Sequence, residues 1–345
     1  MLSIQTLAPQ DEAGAKRWDA FVMAHPDASF FHRAGWQDIV REVFRHNTYF
    51  LYVEQEGHIE GILPLAHVRS MLFGKSLIGL PFAVYGGAIA TSPAVADALE
   101  AHAQQLAQRL GVEHLELRNV NRRHTDWPLQ DLYVTFRKEI LAEEEANMLA
   151  IPRKQRAMVR KGIKNGLVSH IDTNVDRFFD LYADNVHRHG TPAMPKRYFA
   201  ALMQKFGADC EVLTVTGPDG RPLSSVLSFY FRDEVLPYYA GDDEAARDLA
   251  GNDFKYWELM RRACARGLKV FDYGRSKQGT GSYSFKKNWG FEPKPLHYEY
   301  CLYKRDSVPQ NNPSNAKYRL LIETWRRMPI GLANWLGPFI VRNLG

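Results

Sequence analysis

The chain contains 345 residues, of which 45% are hydrophobic and 24% are charged. These values are ordinary for a globular protein and leave room for about two domains. The formal net charge is only +5, so basic character matters locally rather than over the whole chain. The three cysteines are widely spaced and odd in number, which favours reduced cytosolic thiols and argues against a disulfide framework or zinc spacing.

Neither a targeting peptide nor a membrane-spanning helix is expected from the sequence. Met1–Asp19 carries charges and holds no long apolar run. No segment reaches the ~18–20 uncharged residues that a spanning helix needs. We therefore expect a cytoplasmic protein, either free or in peripheral contact with the inner face of the cytoplasmic membrane.

Helical and strand patterns alternate in the first third of the chain. The spacing of apolar residues predicts three helices: one over 11–23, one that follows the segment 30–36 and ends at Phe44, and one over 94–110. It also predicts strands over 48–53, 59–68 and 113–119. Between them, Phe73–Ala90 is glycine-rich and apolar. Two interpretations of this segment stay open, namely strands and turns at a domain contact, or a loop that admits a ligand.

A strongly basic helix is predicted next. Pro152 suits its first position and Gly166 suits the position just past its end. Four cations fall on one narrow stripe of this helix, flanked by Lys154 and Lys161: Arg153, Arg156, Arg160 and Lys164. Such a stripe is either a solvated face or a surface for a polyanion, such as RNA, a pyrophosphate-linked substrate or anionic lipid headgroups.

Two further helices are predicted over 175–186 and 195–206. The second opens with Lys196 and Arg197, which are unfavourable at the positive end of a helix unless an anion binds nearby. His187 and His189 lie between the helices without a third partner, so we expect no metal site there.

The segment Leu236–Tyr300 is predicted to organise the second half of the chain. It reads as a strand, a loop, a helix, a strand, a second loop and a hairpin-like closure. Asp253 suits the N-cap of the helix and Gly267 suits its C-terminal end. The second loop, 274–282, carries Arg275 and Lys277 among small residues, as expected of a loop that approaches a polar ligand.

This segment recurs upstream in weaker form, at an offset of 154 to 164 residues. Tyr85–Gly87 matches Tyr239–Gly241, and Glu116 matches Asp272. A repeat of that length corresponds to one domain, so we predict two similar α/β domains, 1–145 and 146–305. The glycine-rich turn in each repeat predicts a cleft between the two domains.

The tail, 306–345, differs in character from the rest. It holds Trp325, Trp335 and Phe339 among leucine and isoleucine, and from Asn315 onward it has only one acidic residue, Glu323. Two interpretations stay open: a C-terminal helix packed on the body, or an amphipathic segment that rests on an anionic membrane.

Several motifs resemble a known family: K-x-R-x-x-V-R-K-x-x-K-x-G over 154–166, R-H-G over 188–190, Tyr-Phe at 198–199, Y-A-G over 239–241, F-D-Y-G over 271–274 and Y-S-F-K over 283–286. The chain resembles the FemAB/FemX-like transferases. Within them it looks most like the FemAB-related proteins associated with exosortase/PEP-CTERM and exopolysaccharide systems. The resemblance is best over 151–300 and weaker over the first 130 residues.

The resemblance implies a fold of class α/β (α+β), with two tandem acetyltransferase-like (GNAT) domains whose mixed central sheets are flanked by helices. Family members typically transfer an aminoacyl group from charged tRNA to the amine of a cell-wall precursor. The family lysine near the donor matches Lys286, and the family tyrosine that lines the acceptor site matches Tyr198. We predict Lys286 as the catalytic residue, and a substrate-binding set: Arg153, Arg156, Arg160, Lys164, Tyr198, Tyr239, Asp272, Arg275, Lys277 and Tyr283.

The chain also departs from the family pattern. Met194 stands where a phosphate-binding arginine is expected, Val120 replaces an acid, and Arg41 is out of register with an expected cation. These departures disfavour a nucleotide-linked muropeptide acceptor. The coiled-coil arm of some members is absent from the sequence, and Arg247–Asn252 only approximates an acetyl-CoA pyrophosphate loop.

We therefore expect an N-acyltransferase that transfers an aminoacyl or acyl group to an amine of a peptidoglycan or exopolysaccharide precursor. No tightly bound cofactor or metal is expected, and the donor is aminoacyl-tRNA or acyl-CoA. No nucleophile–base arrangement is visible in the sequence, which favours direct attack by the amine. Two alternatives stay open: an acyl-CoA-dependent GNAT acetyltransferase for a small amine, and a non-catalytic module that binds polyanions through Arg153–Lys164.

Overall fold

The computed structural model describes residues 2–70, 74–309 and 316–343. The chain divides into two units. Unit 1 comprises Met1–Tyr133, Pro295–Gln310 and Arg342–Gly345, and unit 2 comprises Val134–Lys294 and Asn311–Val341. The boundaries of these units differ from the domain limits proposed from the sequence, 1–145, 146–305 and 306–345, and those limits remain a proposal.

The helices follow the predicted order closely. Their bounds are α1 Glu12–Ala24, α2 Gly35–Glu42, α3 Pro93–Leu110, α4 Glu144–Ala150, α5 Arg153–Lys164, α6 Asp176–Arg188, α7 Lys196–Phe206, α8 Ala246–Leu249, α9 Gly251–Ala265, α10 Gly281–Asn288, α11 Ala316–Arg327 and α12 Ile330–Val341.

The strands lie between these helices. Their bounds are β1 Ile4–Thr6, β2 Asn47–Gln55, β3 His58–Ser70, β4 Gly74–Gly79, β5 Ile89–Ala90, β6 His114–Asn119, β7 Leu129–Gln130, β8 Tyr133–Glu139, β9 Val168–Asp172, β10 Cys210–Thr216, β11 Pro222–Phe231, β12 Glu234–Asp242, β13 Val270–Lys277, β14 Pro293–Pro295 and β15 His297–Leu302.

Each unit contains one mixed sheet. Over the described residues, the strand order is β1-β2-β3-β4-β6-β15-β7 in unit 1, with β5 beside β3, and β9-β10-β11-β12-β13-β8-β14 in unit 2. Most pairs are antiparallel, but β4 pairs parallel to β6 and β12 pairs parallel to β13. In both sheets, the fourth and fifth strands in the order given form the parallel pair.

The predicted repeat is confirmed by this topology. Asn47 begins β2 and Cys210 begins β10, 163 positions later. His114 begins β6 and Val270 begins β13, 156 positions later. The sixth strand is exchanged, because β15 of the second repeat completes the first sheet and β8 of the first repeat completes the second. The cleft predicted between the domains remains a prediction.

Ordinary end signals explain where the helices begin and end. The Ser92 hydroxyl accepts a hydrogen bond from the Val95 amide at 3.4 Å, Pro93 occupies the first position of α3, and Gly111 ends it with a φ of 62°. Asp253, predicted as an N-cap, is instead inside α9, which begins at Gly251. Its carboxylate accepts a hydrogen bond from Trp289 Nε1 at 2.9 Å.

The core of unit 2 forms where α9 covers its sheet. Phe254, Trp257 and Met260 are buried among strand residues such as Val226 and Phe271. The basic helix α5 packs on α9 at a glycine: a Cβ at Gly162 would lie only 2.8 Å from Phe254 Cβ. The predicted basic helix is therefore fixed to the body through its small-residue face, which leaves the cationic stripe outward.

The tail consists of α11 and α12, and both contact α6 within unit 2. Gly337 lies against the backbone of Ala193, where a Cβ would meet the carbonyl oxygen at 2.9 Å. His187 Nε2 lies 3.0 Å from the Met328 carbonyl oxygen, so this histidine contacts the tail. The interpretation of the tail as a packed segment is thus confirmed for one side of each helix.

Candidate functional site

The centre of the candidate site is the divergence of β12 and β13 in unit 2. The two parallel strands pair at Glu234–Val270 and Val235–Phe271, near the start of each strand. The register of β12 against β11 then shifts by one residue at Tyr238, which forms a β-bulge. A bulge bends its strand away from regular pairing. An opening bounded by backbone peptide groups therefore forms beyond the paired residues.

Lys286 closes one side of this opening. It was predicted on a hairpin-like strand after a loop over 274–282. The strand prediction was wrong, because Lys286 lies on α10, and the loop is shorter than predicted, because β13 continues to Lys277 and α10 begins at Gly281. Its side chain is only 9% exposed. The helix forms because the Thr280 hydroxyl caps it, accepting a hydrogen bond from the Tyr283 amide at 3.4 Å.

The Lys286 amine donates hydrogen bonds to three successive carbonyl oxygens of β13. The Nζ–oxygen distances are 2.7 Å to Tyr273, 3.3 Å to Gly274 and 3.2 Å to Arg275. Burial lowers the pKa of Lys286 to about 7, while the Asp272 carboxylate opposes this shift and Arg275 adds to it. The Lys286 amine therefore binds the end of β13 that is not paired with β12, and it titrates near neutral pH.

Asp272 supports the same strand end from within the sheet. This fully buried carboxylate accepts hydrogen bonds from the Gly274 amide at 2.7 Å and from Arg137 Nη1 at 3.2 Å. Gly274 has a φ of 60°, a conformation that favours glycine. Asp272 thus holds the bend of β13 and supplies negative charge to Lys286. Its match in the repeat, Glu116, is also buried and pairs with Arg118 at 2.7 Å.

The other predicted residues on this strand and helix are placed around Lys286. Arg275 is exposed and Lys277 is partly buried, and both lie in the last part of β13. Tyr283 packs edge-on against Phe136, with ring centroids 5.5 Å apart. The amine of Lys286 lies 5.6 Å from the centroid of the same Phe136 ring. The structure therefore brings Asp272, Tyr283 and Lys286 together.

Tyr198 and Tyr239 form a second group. Their hydroxyl oxygens are 3.1 Å apart, and burial raises the pKa of both well above the ordinary value. Tyr198 is fully buried in α7, whereas Tyr239 is partly exposed on β12. The predicted turn at Tyr239–Gly241 is wrong, because these residues continue the strand. Gly241 permits close approach to α6, since a Cβ there would meet the Tyr182 backbone at 2.4 Å.

The cationic stripe on α5 faces solvent. Arg153, Arg160 and Lys164 are exposed, and Arg156 is partly buried. Within the described residues, the salt bridges of unit 2 involve none of these four side chains. By contrast, the cations that open α7 have an internal anion, because Lys196 Nζ lies 2.8 Å from Asp176. The stripe on α5 therefore keeps its charge available for an external anion.

A cavity of about 610 Å³ that sequence reasoning missed lies beside these elements. It is lined by Met158 of α5, Phe285 of α10, the end of α6 and residues of the segment 242–253. Four of its lining residues are acidic, namely Asp242, Asp243, Glu244 and Asp253. Burial raises the pKa of Asp253 above its ordinary value. The three successive acidic residues at 242–244 are the feature of the sequence from which this lining could have been predicted.

This acidic lining bears on the donor. The segment Arg247–Asn252, which approximates a pyrophosphate loop, leads into the N-terminus of α9, a place that ordinarily favours anions. Two of the carboxylates that line the cavity already have internal cations, because Asp242 lies 2.8 Å from Lys255 Nζ and Asp243 lies 2.6 Å from Arg221. Arg188 and Arg247 add positive charge to the same lining. The cavity therefore presents both signs of charge beside the start of α9.

The matching opening in unit 1 is filled by the chain itself. The Gly86 amide donates to the Arg118 carbonyl oxygen at 3.1 Å, and a Cβ on Gly79 would lie 2.1 Å from the Gly86 oxygen. Leu80 and Phe82 adopt positive φ values of 51° and 65° to make this path. The Arg118 guanidinium donates to the carbonyl oxygens of Leu80 and Ala83. The described part of the glycine-rich segment thus packs into its own sheet; 71–73 lie outside the described residues.

The described residues contain no group of three or more histidine, cysteine or acidic side chains placed to hold a metal ion. In that part of the chain, no helix is both long enough and apolar enough to cross a bilayer.

Comparison with known proteins places the GNAT signature in unit 2. Residues 153–287, from the start of α5 to Lys287, match the family described as an acetyltransferase (GNAT) domain. This region contains the diverging strands and Lys286. No curated protein has a significant sequence match to the chain.

Several solved structures share the fold over nearly the whole chain. The crystal structure of FemX aligns with a TM-score of 0.64 and 14% identity, over 88% of this chain and 98% of that one. The C-terminal domain of a putative lysylphosphatidylglycerol synthetase from Agrobacterium fabrum aligns with a TM-score of 0.56 and 13% identity, over 90% and 96%. A tandem GNAT protein from the clavulanic acid biosynthesis pathway gives 0.54 and 14%, over 89% and 100%.

These likenesses confirm the predicted fold. The chain is a mixed α/β protein with two GNAT-like units, each built on a mixed sheet flanked by helices. The matched GNAT domain is an acyltransferase domain. At identities this low, the solved structures support the fold and leave the substrates to be argued from the site.

The lowered pKa of Lys286 predicts a pH-dependent stability. Between about pH 7 and the ordinary lysine value of 10.5, the unfolded chain holds a proton that the folded chain lacks. The free energy of unfolding should therefore rise with pH between about 7 and 8.5, and Lys286→Met should remove this rise. At higher pH the raised pKa values of Cys210 and of buried tyrosines such as Tyr182 act in the opposite sense, because the unfolded chain loses those protons first. Denaturant titrations at several pH values measure the rise.

Lys287→Met is the matched control for this measurement, because Lys287 is the exposed neighbour on the same helix. It should keep the pH slope of the parent protein. Equal slopes for the parent and Lys286→Met would show that Lys286 keeps an ordinary pKa in the folded chain.

Proposed function

We propose that this chain is an N-acyltransferase that transfers an aminoacyl group from charged tRNA to an amine of a cell-envelope precursor, either a peptidoglycan or an exopolysaccharide intermediate. The reaction takes place in unit 2, at the opening between β12 and β13. The observation that carries this proposal is Lys286, a buried amine that binds the end of β13 beyond its pairing with β12, within the matched acyltransferase domain.

The chemistry requires no covalent enzyme intermediate. The acceptor amine attacks the ester carbonyl carbon of the donor, so a carbon–nitrogen bond forms as the carbonyl oxygen becomes an oxyanion. The ester carbon–oxygen bond then breaks, and the proton lost by the attacking nitrogen passes to the leaving ribose oxygen. Positioning of the two reactants and stabilisation of the oxyanion are the contributions that a protein can make to such a step.

Lys286 supplies the oxyanion stabilisation in this proposal. Two of its hydrogen bonds to β13 are long, at 3.3 and 3.2 Å, so one N–H can turn to a ligand oxygen at small cost. A preorganised donor of this kind is worth roughly 2.7–4 kcal/mol in the transition state. Asp272 acts through the lysine and the bend at Gly274, and is therefore a positioning residue.

The remaining predicted residues are assigned to binding. The stripe on α5 binds the phosphate backbone of the donor, for which sequence-independent contact is enough. Arg275 and Lys277 add positive charge at the end of β13. Tyr239 lies on β12, the other strand of the diverging pair, and its hydroxyl oxygen lies 3.1 Å from that of Tyr198. In this proposal the two hydroxyl groups position the acceptor.

The choice of tRNA over acyl-CoA as donor rests on the cations of α5. A long phosphate backbone can contact the whole outward stripe, and the segment Arg247–Asn252 only approximates the pyrophosphate loop that acyl-CoA would need. The acyl-CoA alternative, in which a small amine is acetylated, draws its support from the matched GNAT domain. A non-catalytic polyanion-binding module is the third candidate, supported by the outward cations of α5.

The envelope context and the location come from the sequence. The motif Y-S-F-K at 283–286 and the basic motif at 154–166 resemble those of FemAB-related proteins of exosortase and exopolysaccharide systems. One structural neighbour is named as a lysylphosphatidylglycerol synthetase domain, which adds support for an envelope substrate. We propose that the chain acts in the cytoplasm at the inner face of the membrane, where envelope precursors are built on lipid carriers.

The first test of this function is donor discharge. The purified protein is mixed separately with aminoacyl-tRNA and with acyl-CoA, each with candidate amine acceptors, and loss of the ester or thioester is recorded. Discharge of the tRNA ester that depends on an amine is expected. Discharge of acyl-CoA alone would support the acetyltransferase alternative, and binding without discharge would support the non-catalytic module.

In the same assay, Lys286→Met should lower turnover by roughly 10²–10³-fold, because the transition state loses its preorganised donor. Lys287→Met should turn over like the parent. Circular dichroism and the unfolding midpoint check that both variants are folded. Turnover of Lys286→Met at the parent rate would remove the lysine from the chemistry.

Charge reversal on α5 tests the polyanion surface. Arg156→Glu/Arg160→Glu should weaken tRNA binding and flatten its salt dependence, by roughly 0.7–0.9 in the log–log slope for each phosphate that is no longer neutralised. The matched control, Lys16→Glu/Arg109→Glu, changes two exposed cations of unit 1 by the same total charge. If both double variants keep the parent affinity and salt slope, the stripe is only a solvated face.

A further inference from the structure

The tail helix α12 has two faces of different character. Ala333, Gly337 and Val341 are buried at a spacing of four residues, and Gly337 lies against unit 2. The opposite face carries large apolar side chains at a spacing of three and four: Leu332, Trp335 and Phe339 are 46%, 63% and 55% exposed. Residues at this spacing share one side of a helix. The exposed side chains therefore form a continuous apolar strip on a helix that is already fixed to the body.

The strip is built as one surface rather than scattered. The rings of Trp335 and Phe339 contact one another edge-on, with centroids 5.7 Å apart. Leu332 lies almost one turn before Trp335 on the same side, so the strip runs along most of the helix. Single exposed apolar residues are common on proteins, but a run of them along one helix marks a contact surface.

The charges around the strip favour an anionic partner. No acidic residue occurs from Thr324 to Gly345 in the sequence, whereas this stretch contains Arg326, Arg327 and Arg342. All three of these arginines are exposed, and the first two lie in the last turn of α11, immediately before α12. A strip of apolar side chains flanked by cations is the pattern of a helix that lies in a membrane interface.

We propose that α12 docks this chain on an anionic lipid bilayer through Leu332, Trp335 and Phe339, with Arg326 and Arg327 at the headgroups. At 12 residues, the helix is about 18 Å long, enough to lie in the interface but too short to span it. Tryptophan is the residue type that prefers this boundary, because its ring is apolar and its N–H is polar. This surface is independent of the transfer chemistry at Lys286.

A second copy of the chain is the competing occupant of the strip. A stable dimer commonly buries about 800 Å² on each partner, far more than three side chains on one helix supply. The arginines on both copies would also repel one another across a symmetric contact. Lipid headgroups, in contrast, gain from each of these cations.

The test uses full-length protein, because the buried Trp325 and the packed Gly337 show that removing the tail would expose the body. Vesicle flotation compares phosphatidylcholine vesicles with vesicles containing about one-third phosphatidylglycerol. The parent should float with the anionic vesicles. Trp335→Ala/Phe339→Ala should reduce the partition coefficient roughly tenfold or more, because the variant lacks the two aromatic side chains that the bilayer interface would bury.

Two further variants separate the causes. Arg326→Glu/Arg327→Glu should lose most binding to the anionic vesicles at low salt, and Leu149→Ala/Val168→Ala, which alters exposed apolar residues elsewhere, should bind like the parent. Equal flotation of the parent and Trp335→Ala/Phe339→Ala, or no flotation of the parent, would overturn the proposal. So would a concentration-dependent dimer in sedimentation that the same aromatic variant abolishes.

Discussion

The candidate site depends on the failure of two parallel strands to stay paired. Once β12 and β13 separate after Val235 and Phe271, the backbone groups at the end of β13 need other partners, because unpaired buried carbonyl groups are costly. Lys286 meets that need by donating to three carbonyl oxygens in succession. The helix that carries the lysine, the bend at Gly274 and the buried Asp272 all follow from holding this strand end open.

The repeat shows how the same opening can be closed. In unit 1 the loop after β4 enters the space beside β6, and Gly79 and Gly86 allow the two backbones to approach. Arg118 fastens that loop by donating to the carbonyl oxygens of Leu80 and Ala83, as Lys286 does to carbonyl oxygens in unit 2. A cation on carbonyl groups therefore occurs in both repeats. In unit 1 it holds a segment of the chain, whereas in unit 2 it leaves room beside the strand.

Local patterns predicted most of the fold, and long-range pairing accounts for what they missed. The basic helix, the repeat offset and the match of Glu116 with Asp272 follow from periodicity and spacing. The exchange of β8 and β15 between sheets joins residues far apart in the sequence, as in the pairing of Tyr298 with Arg118, 180 positions away, which no local pattern reveals. The alternating letters S-Y-S-F-K favoured a strand, but the Thr280 cap and the distant carbonyl groups of β13 make this segment a helix.

The small net charge conceals a separation of charges that bears on the chemistry. Outward-facing cations line α5, and the salt bridges among the described residues of unit 2 leave this stripe without an internal anion. The cavity that Met158 of the same helix borders is closer to balance, because Asp242 pairs with Lys255, Asp243 pairs with Arg221, and two arginines also line it. The uncompensated charge of this region therefore lies on the outer face of α5, where a polyanion meets it first. A long phosphate backbone can contact the whole stripe, whereas the few phosphates of acyl-CoA can contact only part of it, and this difference is what favours the proposed tRNA donor.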